Sequence, residues 1–330
     1  MERIIGIGNA LVDVLVQLSD EAVLSQMGLP KGGMILIDDE QQMRLSECLV
    51  QLNPVRATGG SAGNAVLALA RMGAKPGFVG RVGNDDMGSF FTENCNQSGI
   101  DARLVTGSGH SGVANTFITP DAERTFATYL GEASKLSASD ITPSLFDGYD
   151  LLHVEGYLVQ DHELIRRICS VAKECGLRLS IDLASYNVVR DNHSLLCNLV
   201  KDYIDIVFAN EEESAAFTKG GDPESALLQI ALMAETAVVK LGKRGAIAMR
   251  NGERAHVPGN SQNVIDTTAA GDFFAGGFLY GVTRGASLNQ CLRLGSLLAG
   301  RVIQVIGTHL PDAQWQEIHS EAEKIITNNN

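Results

Sequence analysis

Short apolar runs alternate with longer amphipathic stretches along most of this 330-residue chain. The apolar runs are bounded by glycine or by polar residues, as buried strands usually are. They lie at 4–7, 77–82, 151–155, 178–182, 206–209 and 237–240. The amphipathic stretches predict helices at 65–72, 88–98, 164–175, 223–234 and 273–283. Strands that alternate with helices predict an α/β fold in which helices cover both faces of a mostly parallel sheet.

Two parts of the chain break this alternation. Residues 12–17 and 34–38 form one part, and residues 112–131 form the other, with apolar and polar positions alternating as in exposed antiparallel strands. The sequence Pro-Asp-Ala-Glu at 120–123 fits the tip of a hairpin. We expect these segments to pair into a small β-sheet that forms a lid. Without a linker or an internal repeat, residues 1–330 predict a single domain that carries this lid.

Composition and charge limit the partners of the chain. It is 45% hydrophobic and has 26 Lys and Arg against 39 Asp and Glu, a formal net charge of -13. Such an acidic surface repels phosphodiester backbones and anionic lipid, so we expect neither nucleic acid nor a membrane as a partner. The six cysteines form no CxxC pair and suggest neither a disulfide framework nor a zinc site, which fits a reducing compartment.

The chain also lacks the marks of export and membrane insertion. Its amino-terminal stretch has neither a basic start nor a cleavage site, so no signal peptide is predicted. The longest apolar helix candidate, 288–306, carries Arg293 and Arg301, which are too costly for a membrane-spanning segment. We therefore expect a cytoplasmic protein.

Polar residues follow the first predicted strand. Gly6 and Gly8 begin a possible dinucleotide fingerprint, but Leu11 stands where the third glycine is needed, and that function is rejected. Asp13 lies among apolar residues, where an unpaired carboxylate is hard to explain as core. We expect Asp13 and Asn9 to face a cleft.

A glycine-rich stretch precedes the helix predicted at 65–72. Gly59 and Gly60 allow the backbone to approach a ligand closely, and the start of a helix attracts anions. The alternative is a plain loop in which Ser61 or Asn64 caps the helix. These residues alone do not decide between the two interpretations.

Two later segments with candidate binding residues each follow directly after a predicted strand. Asn210 and Glu213 come directly after the strand at 204–209, at the edge where ligands bind in open α/β sheets. An acidic first helical turn is also favoured by the helix dipole, so this signal is weak alone. Gly242 and Gly245 follow the strand that ends at Lys240, and they suit either a hairpin or a nucleotide site.

The strongest candidate for chemistry is DTTAAGDFF, at 266–274. Its small residues Ala269, Ala270 and Gly271 leave backbone N–H groups uncovered at a helix start, which can bind a phosphoryl group. Asp272, at the start of this helix, can accept a proton from a hydroxyl that attacks phosphorus. Helix capping would explain Asp272 but not the run of small residues.

Together these motifs resemble the ribokinase-like (PfkB) family of sugar and nucleoside kinases, over essentially the whole chain. GGSAGN at 59–64 is similar to the amino-terminal signature of that family, and DTTAAGD at 266–272 is similar to the carboxyl-terminal one, usually DTxGAGD. The resemblance implies a three-layer α/β/α fold with a small β-sheet lid, ATP as phosphoryl donor, and Mg²⁺.

The resemblance also implies a role for each candidate residue. Asp272 would be the catalytic base, next to an anion hole at 269–271. The binding residues would be Asn9, Asp13, Gly59, Gly60 and Asn64 for the acceptor, Lys240, Gly242, Gly245, Asp266 and Thr268 for ATP, and Asn210 and Glu213 for Mg²⁺ through water and phosphate. Ala269 departs from the family, which has glycine there, and its methyl group fits if φ is negative.

Within the family, GNALVD (8–13), TPDAERTFATYLG (119–131), EGY (155–157) and FANEEESAAF (208–217) are most similar to adenosine kinases. By this similarity Arg124 would approach the transferred phosphate from the lid. The implied reaction is phosphorylation of the 5′-hydroxyl of adenosine in purine salvage.

Several alternatives stay open on the sequence alone. The acceptor can instead be a free sugar such as ribose, fructose or a ketodeoxy sugar acid. Ala269 also suggests a binding protein without turnover, although the presence of Asp272 favours an enzyme. The sequence leaves open whether K⁺ binds near the loop at 266–268, and whether the chain is a monomer or a homodimer.

Overall fold

The computed structural model describes residues 2–121, 123–260 and 263–327. Its strands are β1 (Ile4–Ile7), β2 (Leu11–Gln17), β3 (Met34–Leu36), β4 (Val55–Gly59), β5 (Gly77–Gly83), β6 (Asp101–Gly107), β7 (Gly112–Ile118), β8 (Arg124–Tyr129), β9 (Leu151–Glu155), β10 (Arg178–Asp182), β11 (Ile206–Asn210), β12 (Thr236–Lys240), β13 (Ala246–Arg250) and β14 (Glu253–Val257). The predicted hairpin tip at 120–123 includes Ala122, which lies outside the described residues.

Helices occupy much of the remaining chain. They are α1 (Ala22–Gln26), α2 (Asp39–Leu49), α3 (Ser61–Arg71), α4 (Asp86–Gln97), α5 (His162–Glu174), α6 (Tyr186–Asp191), α7 (His193–Asp202), α8 (Glu211–Phe217), α9 (Pro223–Ala231), α10 (Ala270–Thr283), α11 (Leu288–Val302) and α12 (Asp312–Thr327). In the described residues no helix is both long and apolar enough to span a membrane.

A nine-stranded sheet forms the main body, in the order β14-β13-β12-β11-β10-β9-β1-β5-β6. Neighbours from β12 to β6 pair in parallel, while β12, β13 and β14 pair antiparallel. One apolar core lies between the sheet and α5, α7, α8 and α9, and a second lies between the sheet and α3, α10, α11 and α12. The predicted three-layer α/β fold is confirmed.

The smaller sheet has five strands, in the order β3-β8-β7-β2-β4. Side chains on one of its faces, such as Val12 and Phe117, pack with α2 and α4 into a third apolar core. The sheet includes all three segments expected in the lid, but the expectation of antiparallel pairing is only partly right. The β7–β8 and β2–β4 pairs are antiparallel, whereas β2–β7 and β3–β8 are parallel. Long connections, unlike tight hairpins, do not fix strand direction.

Two helices near the site begin earlier in the structure than the sequence predicted. Helix α3 begins at Ser61 with Gly60 as its N-cap, so residues 61–64 belong to the first helical turn and not to a loop. Helix α10 begins at Ala270, which brings Ala270 and Gly271 into its first turn as well. Strand β4, which ends at Gly59, was not predicted, because Val55–Gly59 is short and mixed in polarity.

Candidate active site

The main cavity, of about 700 Å³, opens at the carboxyl edge of the large sheet. Three adjacent parallel strands, β10, β11 and β12, end in Asp182, Asn210 and Lys240, and all three residues line the cavity. Gly271 and Asp272 line it from the first turn of α10. Ligands of open α/β sheets bind at this edge, so the cavity is the candidate active site.

Asp272 is held by two side chains from the first turn of α3. The hydroxyl of Ser61 donates to Oδ1 at 2.7 Å, and Nδ2 of Asn64 donates to Oδ2 at 3.0 Å. Burial raises the pKa of Asp272 to about 6, although both hydrogen bonds lower it. The carboxylate is thus oriented and still mostly ionised at neutral pH, as a general base requires.

The start of α10 presents backbone donors to the cavity. Within the described residues the N–H groups of Gly271 and Asp272 have no acceptor, while that of Ala270 donates to the carbonyl of Thr267 at 3.3 Å. The helix dipole adds positive potential at this point. The N–H groups of Gly271 and Asp272 therefore form an anion hole that is available for a phosphoryl group.

Ala269 does not meet the condition under which its methyl group would fit easily. As the N-cap of α10 it has φ 58° and ψ 6°, in the left-handed region, and not the negative φ under which a methyl group was expected to fit. An L-residue with a Cβ atom is disfavoured there, which explains why glycine suits this position. The chain nonetheless keeps the turn that exposes the following N–H groups.

A buried charge network lies beneath the anion hole. Nζ of Lys240 is 2.5 Å from Oδ2 of Asp182, and a Cβ atom built on Gly271 would lie 3.1 Å from the same Nζ. Burial alone would lower the pKa of Lys240, but the charges of Asp182 and Glu213 outweigh it and raise the pKa. The ammonium group therefore adds positive charge under the first turn of α10.

Asn210 and Glu213 form a capping box at the start of α8. Asn210 donates from its backbone N–H and from Nδ2 to the Glu213 carboxylate, both at 2.7 Å, and Oδ1 of Asn210 accepts from the Glu213 N–H at 2.8 Å. Burial, with the nearby charge of Asp182, raises the pKa of Glu213. Both residues line the cavity.

The predicted acceptor residues meet on the other side of Asp272. The carboxylate of Asp13 lies against Gly59, where a Cβ atom would be 2.2 Å from Oδ1. Gly60 has φ 83° and lies against the carbonyl of Asn9, so both glycines permit a close approach that other residues would block. Burial, then the charges of Asp272 and Asp266, raise the pKa of Asp13 to about 7.

Glu155, at the end of β9, completes this side of the site. It accepts from Nδ2 of Asn9 at 2.6 Å and from the backbone N–H of Ala62 at 3.1 Å. Burial raises the pKa of Glu155 to about 7 despite these bonds, with a contribution from Asp272. The site therefore gathers carboxylates that can accept hydrogen bonds from hydroxyl groups.

Arg124 connects the smaller sheet to the loop before α10. Its Nη1 lies 2.5 Å from Oδ1 of Asp266 and donates to the hydroxyl of Thr268 at 2.8 Å. The buried Asp266 carboxylate also accepts from the N–H groups of Thr268 and Gly307, at 2.8 and 2.7 Å. Arg124 thus reaches the loop at 266–268 that was predicted to bind ATP, where it pairs with Asp266.

The two glycines assigned to ATP also line the cavity. Gly242 and Gly245 have φ of 56° and 94° and form the turn between β12 and β13. A Cβ atom on Gly245 would lie 1.9 Å from the carbonyl of Val257. The hairpin interpretation is correct, and this antiparallel hairpin forms one wall of the cavity. A nucleotide site at these two glycines stays a prediction.

Three residues of the site were missed. Glu155 and Asp182 each end a predicted strand, and the rule that directed attention to Asn210 would have found them. Ser61 was treated only as a possible cap, and its contact with Asp272 joins residues 211 positions apart. A single sequence carries no signal for such a contact.

Comparison with known proteins identifies the family. Residues 36–315 match the family model described as pfkB family carbohydrate kinase. A crystal structure of a probable sugar kinase from Rhizobium etli is 32% identical, with TM-score 0.84 and 98% of both chains covered. Adenosine kinase from Sinorhizobium meliloti is 31% identical, with TM-score 0.83, covering 98% of this chain and 99% of that one.

A further relative has a name that gives a different acceptor from those of the two structures. The 5-dehydro-2-deoxygluconokinase of Shouchella clausii is 28% identical over 260 residues, which cover 74% of this chain and 80% of the relative. These relatives share the kinase family but differ in the acceptor that their names give. The chain belongs to the pfkB family and is a sugar or nucleoside kinase.

Proposed function

We propose that this protein transfers the γ-phosphoryl group of ATP to the 5′-hydroxyl of adenosine. ATP is the donor that the family implies, usually with Mg²⁺. The acceptor is inferred from one observation: the face of the smaller sheet that carries Asp13 and Arg124 is otherwise mostly apolar.

Strand register defines this face, which we call the lid face. Asp13 pairs with Ala57 and Ala114, and Leu15 pairs with Val55 and Thr116. The same register brings further side chains to this face: Arg124, Phe126, Thr128, Met34 and Leu36. Arg124 reaches Asp266, and Leu15 lies 3.2 Å from a Cβ atom built on Gly307, so the lid face is turned toward the main body.

The lid face suits a purine better than a free sugar. Leu15, Phe126, Met34 and Leu36 offer apolar surface to a planar base, whereas a free sugar needs polar groups on most sides. Asp13 lies on the same face and is available for ribose hydroxyls. The mostly ionised carboxylate of Asp272, together with the partly ionised Asp13 and Glu155, disfavours an anionic acceptor such as a sugar acid.

The arrangement of the body supports in-line phosphoryl transfer. Asp272 takes the proton from the 5′-hydroxyl as the oxygen attacks phosphorus, and the bond from phosphorus to the departing ADP oxygen breaks. The free N–H groups of Gly271 and Asp272 then hold the negative oxygens of the transferred group. Lys240, just beneath Gly271, adds to this stabilisation.

The residues near the phosphates fit Mg²⁺ only indirectly. The described residues contain no cluster of acidic, histidine or cysteine side chains that could bind a metal directly. The Glu213 carboxylate is already bonded to Asn210, so it would meet the hydrated ion through water while ATP phosphates supply direct ligands. The ion would neutralise charge on the β- and γ-phosphates.

The loop at Asp266 fits a monovalent cation less well than the residues near the phosphates fit Mg²⁺. Both carboxylate oxygens already accept hydrogen bonds, and the Arg124 guanidinium supplies positive charge there. We assign no role to K⁺ in the reaction. Only Nη1 of Arg124 is engaged among the described residues, which leaves its other nitrogens for the transferred phosphate.

The test is a coupled ADP-release assay with magnesium and ATP against adenosine, other nucleosides and a panel of free sugars. We expect saturable turnover with adenosine that is abolished in an Asp272→Asn preparation run in parallel. Turnover with ribose or fructose alone would keep the phosphoryl chemistry and contradict the proposed acceptor. Equal inactivity of both proteins on every compound would favour a binding protein.

A further inference from the structure

A second cavity, of about 420 Å³, lies behind the smaller sheet. It shares no lining residue with the candidate active site. On strand β4, Ala57 pairs with Asp13 on the lid face, whereas Arg56 and Thr58 pair with Val14 and Val12, which point to the opposite side. Arg56 and Thr58 line the second cavity from that opposite side, and Ala57 borders it as well, so the cavity runs along β4 next to the acceptor residues.

The polar wall of this cavity includes two arginines, Arg56 and Arg71, and the amide of Asn94. The side chain of Arg56 has no hydrogen bond or ion pair with any described residue. Oδ1 of Asn94 accepts from Thr58 at 3.3 Å, while its Nδ2 has no acceptor in the described parts of the chain. The acidic lining residue, Asp312, is already paired with Arg71 at 2.7 Å. The unpaired charge in the wall is therefore positive.

Much of the remaining wall is apolar or aromatic, beside the polar Ser98, Thr308 and His309. Leu67, Phe90 and Trp315 line it, and the Arg71 guanidinium lies 5.3 Å from the centre of the Trp315 ring. A cavity that combines aromatic walls with a few convergent donors typically binds a small organic molecule. An unpaired guanidinium selects a carboxylate or a phosphate.

We propose that this cavity binds a small organic anion, a ring that bears a phosphate or a carboxylate, with Arg56 as the partner of the anionic group. Thr58 directly precedes Gly59, which contacts Asp13. A ligand in the cavity therefore touches β4, whose last residue packs against Asp13, and changes the KM for the acceptor. This site does not depend on which sugar or nucleoside the enzyme phosphorylates.

The chain offers a direct reporter for this site. Trp315 is the only tryptophan of the sequence, and it lines the cavity. Its fluorescence is followed while phenyl phosphate or benzoate is added to the whole protein saturated with magnesium and ATP. We expect a saturable change in emission with at least one probe, and the stronger probe identifies the preferred anionic group.

Two arginine variants make the test specific. Arg56→Gln, an exposed and unpaired position, should keep the fold and weaken probe binding about ten-fold or more. Arg44→Gln removes an exposed arginine that is paired with Glu40, and it should bind the probe like wild type. No saturable change with either probe, or equal affinity in Arg56→Gln, would overturn the proposal.

Discussion

The main body and the lid face, on either side of the proposed acceptor site, differ in how their side chains are held. On the body side Asp272 is fixed by Ser61 and Asn64, and Lys240 is fixed by Asp182. On the lid face, Met34 and Leu36 are 63% and 64% exposed. The polar groups of the body are thus held in place, while the apolar residues of the lid face have few constraints. We propose that phosphoryl transfer depends on the body and the choice of acceptor on the lid face.

The largest effect is expected on the body side. Asp272→Asn keeps the shape of the side chain but removes the base, so kcat should fall by about two to four powers of ten with every acceptor. Steady-state kinetics and a separate measurement of ATP binding check this. ATP affinity close to that of wild type shows that the site is still folded, and near-normal kcat would exclude Asp272 as the base.

A smaller and acceptor-dependent effect is expected on the lid face. Phe126→Ser removes apolar surface opposite the acceptor, so kcat/KM for adenosine should fall about ten- to hundred-fold while the KM for ATP stays unchanged. Met43→Ser, at an apolar position of α2 that is 52% exposed, serves as the matched control. Equal losses in both variants would contradict a specific role for the lid face.

A shift in pH dependence is expected from the hydrogen bond between Ser61 and Asp272. This bond lowers the pKa of Asp272, which burial raises to about 6. The base must be ionised, so kcat/KM falls as the pH falls through that pKa, and Ser61→Ala should move this acid limb to higher pH. Ser170→Ala, at a half-buried serine bonded to Glu174, should leave the profile unchanged. An unmoved limb in Ser61→Ala would contradict the assignment.

The smallest effect concerns the left-handed turn at Ala269. Ala269→Gly relieves the disfavoured φ of 58° but adds freedom to the unfolded chain, and the free energy of unfolding should rise by about 0.5–1 kcal/mol. Ala70→Gly, in the last turn of α3, should lower it, by at most about 1 kcal/mol. Chemical denaturation compares the two. A loss of stability in Ala269→Gly would show that the turn is not strained.

The fold and much of the site could be predicted because they depend on local patterns. Strand ends such as Asn210 and glycines such as Gly59 are visible in the sequence, and the structure brings them to the same cleft. The bond from Ser61 to Asp272 and the backbone conformation of Ala269 could not be predicted. Both follow from how distant elements pack, as does the direction in which β2 pairs with β7.

Selection between acceptors tests the central claim most directly. Adenosine and ribose are supplied together at equal concentration with limiting ATP and magnesium, and the phosphorylated products are identified by mass spectrometry. We predict that AMP accumulates in large excess over ribose phosphate, because the lid face binds the purine. Ribose phosphate without AMP would contradict the account and make this protein a kinase of free sugars.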